Sequence, residues 1–212
     1  LITFSSDDPK FDYKGELSIN PFDLELIIDL GIHKISQLFN LNSILRELIK
    51  TELLFNENLS VDLSILAKTN ALDEIFQSTE INFNINNGKI NLDNSTFVNN
   101  KIGLLELNNS SLYLENNELI LNTNILITIK DSKKLFSLLN TNKKSRKEIK
   151  KISLNLVYSF LDNEIKFNKI KIDNNEVSEQ FLNIIDNFND NNSNNLIKSR
   201  RLLNKLINVY EG

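Results

Sequence analysis

The sequence predicts a mostly β protein with a few short helices, an α+β class. An antiparallel meander sheet curls into an open apolar groove, and amphipathic helices close the C-terminus. Three observations predict it. First, Phe22, Leu24, Leu26, Ile28 and Leu30 alternate with Asp23, Glu25, Ile27 and Asp29, and the beat returns at Leu59, Val61, Leu63 and Ile65 and at Ile81, Phe83 and Ile85. Side chains of a strand point alternately to opposite faces, so such segments build a sheet with one apolar and one polar side. Second, the breaks are rich in Asn, as at Asn86-Asn87-Gly88, Asn99-Asn100, Asn108-Asn109-Ser110 and Asn116-Asn117, and Asn tolerates the left-handed backbone of tight turns. Third, these breaks are too short for parallel crossovers, which need about a dozen residues. A parallel β-helix shares the short strands and Asn-rich corners, but the chain lacks its steady period of about 20 residues.

In chain order, residues 13–19 and 22–30 read as a hairpin joined at Asn20-Pro21, a pair unsuited to a central strand. Gly31 ends it. From 32 to 51 the period becomes helical, with Ile35, Leu38 and Phe39, then Ile44, Leu45, Leu48 and Ile49 on one stripe and Ser43 as N-cap, which predicts a helix pair. A strand over 58–67 and a single helical turn over 71–76 follow. The densest β region, 80–130, carries Ile81/Phe83/Ile85, Ile90/Leu92, Leu105/Leu107, Leu112/Leu114, Leu119/Leu121 and Ile125/Ile127/Ile129. Asp131 is placed to cap a helix bearing Leu135, Phe136, Leu138 and Leu139. Strands over 152–160 and 164–173 come next, the second bulged at Asn168-Lys169. Val177, Phe181, Leu182, Ile185 and Phe188 form a helical stripe, and Leu203, Leu206 and Tyr210 mark a last helix flanked by Lys198, Arg200, Arg201 and Lys205. The predicted organisation is a β-rich groove domain over 1–188 with a helical insert at 32–51, a flexible Asn-rich linker at 189–195 and an amphipathic helix at 196–212.

Composition bounds the function. The 212 residues suffice for one substantial core. A net charge of −4 and a pI near 5.2 argue against a nucleic-acid partner, which calls for a basic surplus. Without cysteine there is no disulfide or thiolate metal site. No segment approaches the ~20 apolar residues of a membrane-spanning helix. The chain starts at Leu1 and has no Met, so it is expected to be a C-terminal excerpt of a longer protein, with any membrane anchor in the missing part.

Chemistry is sparse. His33 is the single histidine and reads as a surface or capping residue rather than a catalyst. Asp23, Glu25 and Asp29 share one strand face, able in principle to hold a cation or form an acid-base pair, but reading as the solvated side opposite Leu24, Leu26 and Ile28. The five glycines are too scattered for a phosphate loop. The expectation is no catalytic residue, metal or cofactor. One charged run stands out, Lys143, Lys144, Arg146, Lys147, Lys150 and Lys151. It either protects a sheet edge or touches anionic lipid head groups through Lys143, Lys144, Arg146 and Lys147, each worth about 1 kcal/mol at a charged membrane. The terminal helix offers a similar choice between packing on its own domain and docking on a membrane or partner.

The segments Tyr13-Lys14-Gly15-Glu16-Leu17, Asn87-Gly88-Lys89-Ile90-Asn91-Leu92 and Asn109-Ser110-Ser111-Leu112 resemble recurring glycine-hydrophobic phrases in the C-terminal regions of AsmA-like proteins. This family of Gram-negative envelope proteins includes TamB and YhdP, and the resemblance spans about residues 12–175. It implies a periplasmic protein anchored in the inner membrane, whose curled sheet shields phospholipid acyl chains moving between membranes, with other envelope proteins as further partners. Leu24, Leu26, Ile28, Leu59, Val61, Leu63, Ile81, Phe83 and Ile85 are the expected groove lining. The physical logic agrees, because the helices are too few to cover some ten strands and an uncovered apolar face is a liability. The competing expectation is a structural or adhesive β-domain that covers its own core. A hydrolase or glycan-processing enzyme ranks last, for want of a nucleophile and metal ligands.

Overall fold

Pairing of the alternating segments dominates the computed structural model, which describes residues 1–8, 11–38, 53–71, 74–116, 118–160, 164–173, 175, 178–190 and 196–210. The strands are β1 (Ile2–Asp8), β2 (Phe11–Ile19), β3 (Phe22–Ile32), β4 (Ser60–Lys68), β5 (Ser78–Asn86), β6 (Lys89–Asn91), β7 (Thr96–Asn99), β8 (Gly103–Glu115), β9 (Glu118–Ile129), β10 (Lys151–Ser159) and β11 (Glu164–Ile172). The helices are α1 (Ile35–Leu38), α2 (Ser132–Leu139), α3 (Glu179–Asp190) and α4 (Leu196–Val209). The strands form one sheet in the order β1-β2-β3-β4-β5-β6-β8-β9-β10-β11, with β7 beside β5 and β8. The mostly β class with few helices is thus the observed one. The registered pairs are antiparallel except β3–β4, which runs parallel. Residues 33–59 supply the long connection that a parallel pair requires.

Several local expectations change. A strand, β1, precedes the hairpin and pairs with β2 from Ile2–Leu17 to Asp8–Phe11. Gly31 does not end β3. It takes φ 57°, its N–H bonds the Asp29 carboxylate at 2.8 Å, and the β3–β4 register slips there before resuming at Ile32–Lys68. The Asn108-Asn109-Ser110 turn is instead an irregularity inside the single strand β8, with Asn109 at φ 48°. Leu119/Leu121 and Ile125/Ile127/Ile129 likewise belong to one strand, β9. Of the helix pair over 32–51, α1 is described and residues 39–52, with Ser43, lie outside the described residues. The turn over 71–76 lies partly outside them, as do Val177 and the stretch 191–195 of the linker. Residues 189 and 190 belong to α3. The bulge in β11 is present: Ser153 pairs with Lys171 and Asn155 with Asn168, with Lys169 at φ 47°.

Contacts divide the chain inside β8, into an N-terminal unit of residues 1–100 and 106–113 and a C-terminal unit of 101–105 and 114–212. In the C-terminal unit, α2, α3 and α4 bury one stripe each with β10 and β11. Leu135, Phe136 and Leu139, then Phe181 and Ile185, then Leu202, Leu206 and Ile207 join Ile152, Leu154, Ile170 and Ile172 in a continuous core. The last helix therefore packs on its own domain, and its buried stripe runs through Leu202, Leu206 and Ile207, with Leu203 and Tyr210 half-buried at its border.

Helix α2 is held at both ends. Asp131 accepts the Lys133 and Lys134 N–H groups at 2.8 and 3.2 Å, and Asn140 closes the C-terminus at φ 56°. Asp131→Ala is expected to lower the stability of this unit by about 0.5–2 kcal/mol, read as a lower urea midpoint at unchanged slope.

Candidate functional site

In the N-terminal unit the strand register carries the apolar face from strand to strand. Partners across a pair point to the same side, so three rows cross the unit. The first runs Ile2, Leu17, Leu24, Val61, Ile85, Ile90 and Leu112, the second Phe4, Gly15, Leu26, Leu63 and Phe83, and the third Ser6, Tyr13, Ile28, Ile65 and Ile81. Eight of the nine expected lining residues fall in these rows. The ninth, Leu59, lies one residue before β4, half-buried and in phase with Val61.

Gly15 has a steric role in the second row. A Cβ there would stand 2.6 Å from the Phe4 ring and 2.6 Å from the Glu25 carbonyl oxygen. The ring of Phe4 occupies the space a side chain would fill, and Tyr13 lies beside it at a centroid distance of 6.2 Å. Ile2, Phe4, Tyr13 and Leu17 also stand in these rows, beyond the residues expected there. The beat of β1 fades into Ser5, Ser6, Asp7 and Asp8, so only pairing with β2 reveals the extra row ends.

Burial separates the nine residues. Ile81 and Ile85 are buried, whereas Leu24, Leu26, Ile28, Leu59, Val61, Leu63 and Phe83 are half-buried. Full burial of such a side chain contributes roughly 1.5–3 kcal/mol, so covering the exposed remainder of each contributes at most about a third of that.

The opposite side is polar, and on it Glu16, Glu25, Asp62 and Asn84 are neighbours in register. The Asn84 amide donates to Asp62, and the Ser64 hydroxyl donates to Asn82 at 2.6 Å. Glu25 and Asp29 are exposed, as expected of a solvated face, and Asp23 is half-buried. A cleft of about 620 Å³ opens here, lined mainly by polar-face residues such as Thr3, Ser5, Lys14, Glu16, Asp62 and Ser64 and bordered by Phe4 and Leu26.

Among the described residues no group of three or more His, Asp or Glu side chains is arranged to hold a metal, and no helix is long and apolar enough to cross a membrane. His33 has an exposed side chain, and its backbone N–H donates to the Lys68 carbonyl at 2.8 Å. No family model, curated protein or solved structure matches this chain.

In the C-terminal unit Lys143, Lys144, Arg146 and Lys147 are all exposed. Lys143–Ser145 forms a 3₁₀ turn capped by the Asn142 side chain, and Arg146 Nε donates to the Thr141 carbonyl at 3.1 Å. Of these four, Arg146 alone borders the cleft found in that unit. What the two faces of the N-terminal unit offer chemically is adsorption on one side and hydrogen bonding on the other.

Proposed function

We propose that this chain is a non-enzymatic lipid-binding module, taking the acyl chain of a phospholipid or similar lipid against Leu24, Leu26, Ile28, Leu59, Val61, Leu63 and Phe83, with Ile81 and Ile85 as the buried floor. One observation carries the reading: these seven side chains stay half-buried across successive strands of one continuous apolar face, while the C-terminal unit centres its half-buried apolar groups on a buried core of its own. An apolar face that is continuous in register has the extended form of an acyl chain, and its coverage is favourable in proportion to area. On the resemblance to AsmA-like proteins, the setting is the periplasm of a Gram-negative bacterium, on an inner-membrane anchor outside this chain, with lipid movement toward the outer membrane as the task.

A second reading has an observation of its own. The β3–β4 connection starts by burying Ile35, only 1% exposed, and returns with Phe55 against the turn at Gly88. A structural β-domain that roofs its face with this connection is the corresponding alternative. Native mass spectrometry after gentle extraction, together with methyl NMR in the presence of a spin-labelled fatty acid, separates the two. Lipid binding predicts retained phospholipid and selective broadening of the Leu24, Leu26 and Leu63 methyls. A delipidated chain that stays soluble, takes up no phospholipid and shows no broadening sinks it.

A further inference from the structure

The chain carries four more acidic than basic residues, yet the C-terminal unit gathers Lys101, Lys130, Lys133, Arg146 and Lys150 around one cleft of about 780 Å³. Two carboxylates also border it, and one of them, Asp131, accepts the N–H groups that open α2. The five cations come from three separate segments, and backbone hydrogen bonds fix them together. The Lys130 N–H donates to the Ile102 carbonyl at 2.7 Å, and the Ile129 N–H donates to the Lys150 carbonyl at 2.8 Å. The Ser132 hydroxyl donates to the Ile149 carbonyl at 2.8 Å and accepts the Ile149 N–H at 3.1 Å. Phe136 and Ile149, both buried in the core, form the floor. The backbone that carries the cations is therefore set before any ligand arrives, and the cost left to binding is the ordering of their exposed side chains.

We infer that this cleft binds a phosphate ester. Its volume lies within the ordinary range of ligand pockets, about 300–1,000 Å³. Lysine is a point-charge partner for phosphate and arginine a forked one, and Arg146 commits only its Nε to the Thr141 carbonyl. Among the described residues Lys130, Lys133 and Lys150 form no ion pair. The cations surround a floored hollow rather than forming a flat stripe, which favours a compact anion over an extended polyanion. This inference stands apart from the acyl-binding reading, because it concerns the other unit and holds for a free phosphate ester as well as for a lipid head group.

Calorimetry of the whole chain at low salt tests it with inorganic phosphate, with glycerol 3-phosphate, and with vesicles of phosphatidylglycerol or of phosphatidylcholine alone. Binding of the anionic probes is expected, weakened at least about tenfold by Lys133→Glu with Lys150→Glu. Lys143→Glu with Lys144→Glu, outside the cleft, is expected to change it less than about twofold. All four side chains are exposed, so circular dichroism should report an unchanged fold. Vesicle binding lost in the cleft variant marks a lipid head group as the source, and binding of the soluble esters without vesicles marks a free ester. The inference is overturned if none of the anionic probes binds, if both variants lose affinity equally, or if phosphatidylcholine binds as well as phosphatidylglycerol. Retention of acyl lipid by the cleft variant keeps the fate of this site distinct from that of the N-terminal face.

Discussion

Phe181→Ala is expected to destabilise the C-terminal unit by about 3–5 kcal/mol, the largest effect of any single truncation proposed for this chain. Phe181 sits in α3 at 2% exposure, within a core that also holds Ile170, Ile172, Ile185 and Leu206. Removing the ring forfeits its transfer free energy, and it leaves a void that can close only if α3 and α4 shift together against β10 and β11. The neighbouring Leu182 is a built-in control, since it belongs to the same helix but is 45% exposed. Leu182→Ala is expected to cost less than about 0.5 kcal/mol. Urea unfolding, with amide exchange of β10 and β11 assigning the transition to this unit, measures both. Equal small losses at the two positions would mean that α3 is not packed on this core.

That pair of residues also shows where sequence reading stops. Periodicity places Phe181, Leu182, Ile185 and Phe188 on one broad stripe, but an arc wide enough to hold all of them reaches past what the sheet can cover. The strands teach the same lesson through parity. Leu105 and Leu107 occupy odd positions, and Leu112 and Leu114 even ones, so the beat changes phase between them. A phase change looks like a turn, yet one residue in a left-handed conformation, Asn109, achieves it inside the single strand β8. In β9 the phase never changes, because Thr123 keeps the odd beat between Leu121 and Ile125 and is 1% exposed. A polar residue at a buried position hid the continuity.

The faces were legible for a simpler reason. Where Asp or Glu alternates with aliphatic residues, as in β3 with Ile27 as its one break, the sheet has one favoured choice of side, and the register then joins Leu24, Leu26 and Ile28 to Val61, Leu63 and Ile65. The basic cleft was not legible. Its lysines are separated in sequence by the length of β8 and β9, and the pairing of those strands, with the bonds from Lys130 and Asp131 to Ile102, brings Lys101 to the others. A linear charge run reveals density, but a pocket needs convergence, and convergence is a property of pairing.

Leu63→Asp is the decisive change on the apolar face. Leu63 is half-buried in the middle of the second row, with Leu26 and Phe83 as its register partners on either side. A carboxylate there meets apolar neighbours on both flanks. If the face receives lipid, the bare chain tolerates the change because water reaches the site, and the penalty appears on binding, when the acyl chain excludes that water from an unpaired charge. The expected result is a loss of acyl retention of at least about tenfold with a stability change under about 2 kcal/mol, while Glu25→Gln on the opposite face alters neither. If the β3–β4 connection roofs the face, the order reverses: the charge is buried in the free protein, the N-terminal unit loses about 3 kcal/mol or more, and no lipid signal exists to lose. One substitution, followed by both native mass spectrometry and urea unfolding, therefore distinguishes an open apolar surface from a covered one by where the cost of the charge falls.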